Sequence, residues 1–234
     1  MRFGQITNNY KKYSNKVDYI QFDICGLNKD EAVENLKQTL EKNNHIKQII
    51  LHSDWTKKGC SENNLPTRIN EYIDIYNELS NYIDVIGITL HPMFKSKVTL
   101  DEFLKLASEL NNYMDVFIEN RSNSRILISE PYDIINLSNS YKMTIDIPQL
   151  FISCGYKYDL FLETLSKINW GNIKEVHLAN IKREGNRTFV GRSLDDGELN
   201  ISDLKPYINN KLITLEILGG VNVFEKNIDT LKNL

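Results

Sequence analysis

Cysteine is scarce in this sequence, and long apolar runs are missing. The 234 residues hold three cysteines, which lie far apart and form no CxxC pair. This spacing argues against a disulfide framework and favours reduced thiols. No apolar run approaches the roughly 18 residues of a membrane span, and the opening MRFGQITNNYKK lacks the apolar stretch of a signal peptide. We therefore expect a cytoplasmic protein without membrane contact.

A strong excess of charge of either sign is absent too. The chain has 28 Lys and Arg residues against 31 Asp and Glu residues, a formal net charge of −3. It therefore gives no general basis for nucleic-acid binding. GxSxG, P-loop and GxGxxG sequences are also missing, which argues against the nucleophile-elbow, nucleotide-phosphate and dinucleotide motifs.

Eight short runs rich in Ile and Val recur along the chain. Runs that are apolar at nearly every position are typical of strands covered on both faces in a parallel sheet. They predict strands at residues 2–6, 17–24, 46–52, 84–91, 115–120, 142–147, 173–179 and 211–218.

Helical patterns lie between most of these runs. In segment 29–43, Val33, Leu36 and Leu40 fall on one helix face, and Asp30 is the predicted N-cap. Similar patterns predict helices at 65–82, 99–113, 129–139, 158–168 and 222–234. The segments after the first and seventh strands leave room for only a short helix each.

The alternation of eight strand-like runs with helices gives about 29 residues per unit. This repeat predicts an α/β fold, a single (β/α)8 TIM barrel, which typically has ~250 residues. A doubly wound open sheet is the alternative, but it would not require eight similar units. No linker or shift in composition divides the chain, so we expect one domain over residues 1–234.

Six of the predicted strands carry an ionisable residue at or near the carboxyl end, namely His52, His91, Glu119, Asp146, His177 and Glu216. The carboxyl ends of barrel strands converge on one face, where enzymes of this fold have their active sites. We therefore expect the six side chains to form one cluster. Three imidazoles and three carboxylates favour a bound divalent cation, and this ligand mixture suits Zn, Mn, Fe or Co.

The pattern resembles the xylose isomerase-like TIM-barrel superfamily over nearly the whole chain. That group includes sugar isomerases, ketose 3-epimerases, inosose dehydratases and endonuclease IV. Its metal set of Glu, Asp, His and Glu on strands five to eight matches Glu119, Asp146, His177 and Glu216. The segment SLDDGELN (193–200) also resembles the GxGEID-type segment that often follows strand seven. The resemblance implies one divalent ion at these four residues.

Two chemistries follow from the resemblance. The first is a divalent-metal-dependent isomerase or epimerase that acts on a sugar or sugar phosphate through an enediolate, with Glu119 and Glu216 moving the proton. The alternative is a metal-dependent phosphodiester hydrolase of the endonuclease IV type, in which His52, His91 and Glu119 hold a second ion.

The sequence departs from the full endonuclease pattern at two places. The three-metal site of endonuclease IV needs a DxxH histidine after strand six, and here DIPQ places Gln149 at that position. It also needs a DxH pair after strand seven, and segment 180–198 contains no histidine. These departures favour sugar chemistry. We expect one bound divalent ion, and two bound ions are the alternative.

Further candidates for substrate contact lie just beyond the strand ends, namely Trp55, Asn120, Gln149, Asn180 and Arg192. Trp55 would stack on a sugar or a base, or pack a loop. The amides would bond substrate oxygens or cap the barrel rim. Arg192 belongs to a basic group after strand seven, together with Lys182, Arg183 and Arg187. Such loops bind phosphates in many barrels, and a solvated charge run is the other interpretation.

Overall fold

The structure is a computed structural model and describes residues 1–6, 12–56, 60–185 and 187–234. The described residues form ten strands: β1 Arg2–Ile6, β2 Tyr19–Asp23, β3 Gln48–His52, β4 Asp84–Leu90, β5 Val116–Glu119, β6 Met143–Asp146, β7 Ile173–Leu178, β8 Asn180–Glu184, β9 Arg187–Arg192 and β10 Leu212–Leu215. Strands β1 to β7 and β10 close into a barrel in which every neighbouring pair is parallel. The predicted single (β/α)8 barrel is confirmed.

The α-helices of the described residues are α1 Lys29–Lys42, α2 Leu65–Leu79, α3 Leu100–Leu110, α4 Pro131–Ser138, α5 Ile147–Ser153, α6 Tyr158–Lys167, α7 Lys205–Ile208 and α8 Val221–Lys232. Apolar helix side chains such as Phe103, Phe161 and Phe224 are at most 2% exposed and join one apolar core with the strands. This layer covers the outside of the barrel, as the apolar strands require. None of the described helices has the length and apolar character needed to cross a membrane.

The start of α1 corrects one prediction. Asn28 is the N-cap: its side chain accepts a hydrogen bond from the Glu31 N–H, and the Glu31 carboxylate accepts one from the Asn28 N–H. The prediction of Asp30 as N-cap was therefore wrong. Asp30 lies in the first helical turn, where its negative charge still favours the positive end of the helix dipole.

Three connections at the carboxyl end of the barrel differ in form. Helix α5 follows β6 without a loop, because the Asp146 carboxylate accepts a hydrogen bond from the Gln149 N–H (2.8 Å) and caps the helix. After β7 the chain forms an antiparallel hairpin of β8 and β9 before the short α7. Residues 12–18, the described part of the connection after β1, form no helix.

The inside of the barrel is filled in layers along its axis. Tyr19, Ile50 and Phe117 form a separate apolar cluster at the amino-terminal end. Above it lie polar side chains that are all 0% exposed, namely Gln21, Thr89, Thr144, Glu175 and Thr214. Because side chains alternate along a strand, this layer contacts the groups at the strand ends directly above it.

Candidate metal centre

The six ionisable residues at the predicted strand ends come together at the carboxyl end of the barrel. Each lies within one residue of the end of its strand. Five of them line one cavity of about 280 Å³, and the sixth, His177, is 1% exposed. The six side chains therefore form one cluster, as expected from their positions at the strand ends, although they are far apart in the sequence.

Four of these residues form what we call the first ligand set, namely Glu119, Asp146, His177 and Glu216. One donor atom from each of the first three lies within 4.8 Å of the others. Glu216 Oε1 lies 3.4 Å from His177 Nδ1. Buried His177 Nδ1 has no hydrogen-bond partner among the described residues. A buried nitrogen without a partner is costly unless a ligand completes it, so these donors fit a divalent cation.

A second ligand set shares one residue with the first and consists of His52, His91 and Glu119. Their donor atoms also lie within 4.8 Å of one another. The His91 Nδ1 lies 3.2 Å from the carbonyl oxygen of Asp54, which leaves Nε2 facing Glu119 Oε2 at 2.9 Å. Burial, with His91 nearby, lowers the pKa of His52 well below its usual value. The donor distances therefore fit a second ion, and His52 favours the neutral form that a metal ligand needs.

The crowding of buried carboxylates shifts the pKa values of the first ligand set. Burial, together with the nearby carboxylates of Glu216 and Glu119, raises the pKa of Asp146 well above its usual value. Burial opposes the charged form of His177, but the surrounding carboxylates outweigh it and raise its pKa well above the usual value. The shift of Asp146 reflects repulsion among the carboxylates, and the shift of His177 reflects their attraction for a positive charge, so a cluster with these charges favours a bound cation.

Glu175 supports His177 from below and was missed in the sequence. It is 0% exposed, and its Oε2 lies 3.4 Å from His177 Nε2. Thr89 and Thr214 donate hydrogen bonds of 2.6 and 2.5 Å to the same carboxylate. A carboxylate behind a histidine orients a metal ligand, and here it leaves Nδ1 facing the first ligand set. The spacing in IKEVH was the available signal, because residues two apart on a strand share a face.

Arg121 is the second residue that sequence reasoning missed. It lines the cavity, and its Nη1 lies 3.3 Å from Glu119 Oε1 and 3.5 Å from His91 Nε2. Its side chain is 28% exposed. No strand pattern identifies it, because it lies in the loop after β5. The structure thus adds a cation beside the second ligand set.

Two of the predicted substrate contacts line the cavity. Trp55 and Gln149 both belong to its wall. Gln149 Oε1 accepts a hydrogen bond from the Ser122 N–H (3.1 Å), which fixes the orientation of the amide. A ligand in the cavity would meet both side chains, and their role in binding it stays a prediction.

Two buried asparagines bind the main chain instead of lining the cavity. The Asn180 amide donates hydrogen bonds to the carbonyls of Leu194 and Leu199 and accepts one from the Leu199 N–H. The Asn120 amide donates to the carbonyl of Asp146 and accepts from its N–H. Both side chains hold the main chain and are at most 1% exposed. Asn180 does not line the cavity, and its predicted contact with a substrate stays a prediction.

Two arginines of the basic group after β7 are paired with acidic residues outside the cavity. Arg192 Nε donates to Asp196 Oδ2 (3.0 Å), and Arg183 Nη2 lies 2.7 Å from Glu198 Oε2. Both acidic partners belong to segment 193–200, and both arginines are more than 40% exposed. Arg192 does not line the cavity, so the interpretation as solvated, paired charges fits better than a phosphate contact.

A closed parallel barrel with buried carboxylates and imidazoles at one end defines the class, a TIM barrel with a candidate metal centre. No protein-family model matches the chain, and no curated protein matches it in sequence. Solved structures do resemble it over nearly its full length.

Three of these structures represent the resemblance. The first is an IolI protein with a bound zinc atom, with 13% identity, 100% of this chain and 96% of that chain covered, and a TM-score of 0.61. The second is a xylose isomerase domain containing protein from Salmonella typhimurium LT2, with 10% identity, coverage of 99% and 96%, and a TM-score of 0.60. The third is an L-ribulose 3-epimerase, with 11% identity, coverage of 100% and 86%, and a TM-score of 0.56. The predicted resemblance to xylose isomerase-like barrels is confirmed at the level of the fold.

Proposed function

We propose that this barrel is a divalent-metal-dependent isomerase or epimerase that acts on a sugar or sugar phosphate through an enediolate. The observation that carries the proposal is the buried Nδ1 of His177, which has no hydrogen-bond partner among the described residues and lies 3.7 Å from Glu119 and 3.4 Å from Glu216. Structures with the same fold include an IolI protein with zinc and an L-ribulose 3-epimerase, which supports this class of reaction.

The first ligand set would hold the ion, with Zn, Mn, Co or Fe as candidates. Three carboxylates and one imidazole supply the mixture of hard and borderline donors that these metals accept. When bound, such an ion polarises a carbonyl and an adjacent hydroxyl of a sugar and makes the neighbouring C–H more acidic.

Glu119 and Glu216 would transfer the proton. Their strands β5 and β10 are separated in the barrel by β6 and β7, so the two carboxylates reach His177 from well-separated positions. One carboxylate would remove the proton from carbon and the other would return it, as an epimerisation requires. Glu216 is 30% exposed and Glu119 is 1% exposed, so Glu216 is the one more open to a ligand.

Trp55 and Gln149 would position the substrate at the mouth. The indole offers an apolar face on which a sugar ring can pack. The Gln149 amide, oriented by Ser122, offers a hydrogen bond to a hydroxyl group. The cavity of about 280 Å³ suits a small molecule.

The first experiment measures metal content and proton exchange together. Native protein is analysed for bound metal, then incubated in D2O with ketoses and ketose phosphates in the presence of Mn²⁺ or Co²⁺. We expect metal-dependent deuterium incorporation next to the carbonyl, detected by NMR, and its loss in Glu216→Gln, because the carboxylate no longer accepts a proton.

A matched control comes from the histidine outside the cluster. His45 lies 3.2 Å from the carbonyl oxygen of Ser14 and takes no part in the cavity. His45→Gln should keep both metal binding and exchange, whereas His177→Gln should lose both. The proposal would be wrong if the protein bound no divalent ion and gained no thermal stability from added metal.

A metal-dependent phosphodiester hydrolase is the second candidate, and the second ligand set favours it. His52, His91 and Glu119 could take an ion that generates hydroxide. Arg121 already lies 3.5 Å from His91 and 3.3 Å from Glu119, which argues against it. Cleavage of abasic-site DNA that disappears in His91→Ala would favour the hydrolase over the isomerase.

A further inference from the structure

Arg121 contacts two of the three residues in the second ligand set. Its Nη1 lies 3.3 Å from Glu119 Oε1 and 3.5 Å from His91 Nε2. His91 Nε2 is a donor that a metal ion at the second set would need, because Nδ1 faces the carbonyl oxygen of Asp54. The guanidinium is permanently charged, so it repels a divalent ion at that position and already neutralises part of the charge that would attract one.

The two oxygens of Glu119 face different groups. Oε1 faces Arg121, whereas buried Oε2 lies 2.9 Å from His91 Nε2 and 3.7 Å from His177 Nδ1. Oε1 is therefore held by the guanidinium, and Oε2 is the oxygen that faces the imidazoles of both ligand sets. An ion at the first set would use Oε2, so Glu119 links that set to Arg121.

The main chain holds Arg121 in this place. Its N–H donates to the carbonyl of Ile128 (3.1 Å), and its own carbonyl accepts a hydrogen bond from Ser153 Oγ (3.2 Å). The side chain then runs along the cavity wall and is 28% exposed. The two main-chain contacts fix the point from which the side chain leaves, and its contacts with Glu119 and His91 hold the guanidinium.

We propose that the Arg121 guanidinium takes the place of a second metal ion, so that the chain binds one divalent ion and carries a fixed organic cation beside it. This inference rests on the metal centre of the proposed function. The ligand in the cavity then meets two unlike cations, an exchangeable ion held by the first set and a permanent guanidinium 3.3 Å from Glu119. Arg121 thereby determines how many divalent ions the chain binds.

The test counts ions per chain in the full-length protein. Wild type, Arg121→Gln and Arg121→Lys are saturated with Zn²⁺ or Co²⁺, separated from free metal and analysed by mass spectrometry, and Co²⁺ absorption reports the coordination. We expect one ion in wild type, two in Arg121→Gln and one in Arg121→Lys, because the lysine keeps a positive charge at this position.

Two double variants locate the additional ion. Arg121→Gln with His52→Gln should return to one ion, since His52 belongs to the second set. Arg121→Gln with His45→Gln should keep two, since His45 lies outside the cavity. Should Arg121→Gln fail to fold, as judged by circular dichroism, Arg121→Met removes the same charge and is expected to bind two ions.

The outcomes separate this inference from the metal centre itself. Wild type that binds two ions, or a folded Arg121→Gln or Arg121→Met that binds one, overturns the inference and leaves the first ligand set intact. Wild type that binds no ion overturns the metal centre and the inference with it. A second ion that remains in the His52→Gln double variant also contradicts it, because that ion is bound elsewhere.

Discussion

The two ligand sets share Glu119 but differ in the charges around them. The first set brings three carboxylates to one buried imidazole and leaves His177 Nδ1 without a hydrogen-bond partner among the described residues. The second set has two imidazoles and a guanidinium close to both His91 and Glu119. The guanidinium thus contacts donors of the second set directly, whereas the contacts of His177 Nδ1 in the first set are with carboxylates.

The electrostatic magnitudes make this difference decisive. A divalent ion about 4 Å from a guanidinium charge, at an effective dielectric constant of ~20, meets a repulsion of about 8 kcal/mol. The same distance to a carboxylate gives an attraction of about 8 kcal/mol, and the first set offers three carboxylates. Donor geometry alone, which is similar in the two sets, does not reveal this contrast.

Removing a donor of the first set should have the largest effect, and Asp146 offers the test that disturbs the fold least. Asp146→Asn keeps an oxygen for the Gln149 N–H, so α5 remains capped, but it removes the charge that binds the ion. We expect the Kd for Mn²⁺ or Co²⁺ to rise by more than about 100-fold, beyond the loss typical of a supporting residue, measured by titration calorimetry. Asp195→Asn, at an exposed ion pair with Lys226, is the matched control. An unchanged Kd in Asp146→Asn would contradict the assignment.

Binding of an ion should also stabilise the fold. A ligand at 100 times its Kd adds about 2.7 kcal/mol, which for a chain of this size raises Tm by roughly 5–11 °C. We expect this shift with Co²⁺ in wild type and in His52→Gln, and its absence in Asp146→Asn. Scanning fluorimetry with and without metal measures it. A shift that disappears in His52→Gln would mean that the second set holds the ion.

Removing the Glu175 charge that supports His177 should have a smaller effect. Glu175→Gln keeps the size of the side chain but removes the negative charge 3.4 Å from His177 Nε2. We expect metal affinity to fall by about 10–100-fold, the usual effect of losing an orienting carboxylate, together with an altered Co²⁺ spectrum. A purely structural role for Glu175 would lower Tm and leave the Kd and the spectrum unchanged.

Glu175 and Arg121 also show how far the sequence could predict this centre. The strand-end groups were predictable because strands repeat at a regular interval and end on one face. Glu175 was predictable in principle from its spacing to His177. Arg121 was not, because a loop residue can point in many directions until its main chain is fixed, here by Ile128 and Ser153.

The fold shows the same division between repeated and local features. The eight barrel strands follow from apolar runs that need cover on both faces. The β8–β9 hairpin does not, because its strands are rich in charged residues and depend on tertiary contacts. Asn180 and Glu198 supply these contacts, by binding the chain that follows β9 and by pairing with Arg183. Asn180 was read as a substrate contact because its position after β7 resembles that of a rim residue.

Removing an imidazole from the second set should have the smallest effect. His52 is 4% exposed and its ring centroid lies 6.1 Å from that of His177, so the two histidines share one layer but belong to different sets. His52→Gln should change the Kd for one ion by less than the roughly 10-fold that loss of an orienting partner produces. His177→Gln, the same chemical change in the first set, should abolish binding. Equal losses in the two variants would show that both histidines bind one ion, and the distinction between the sets would then be wrong.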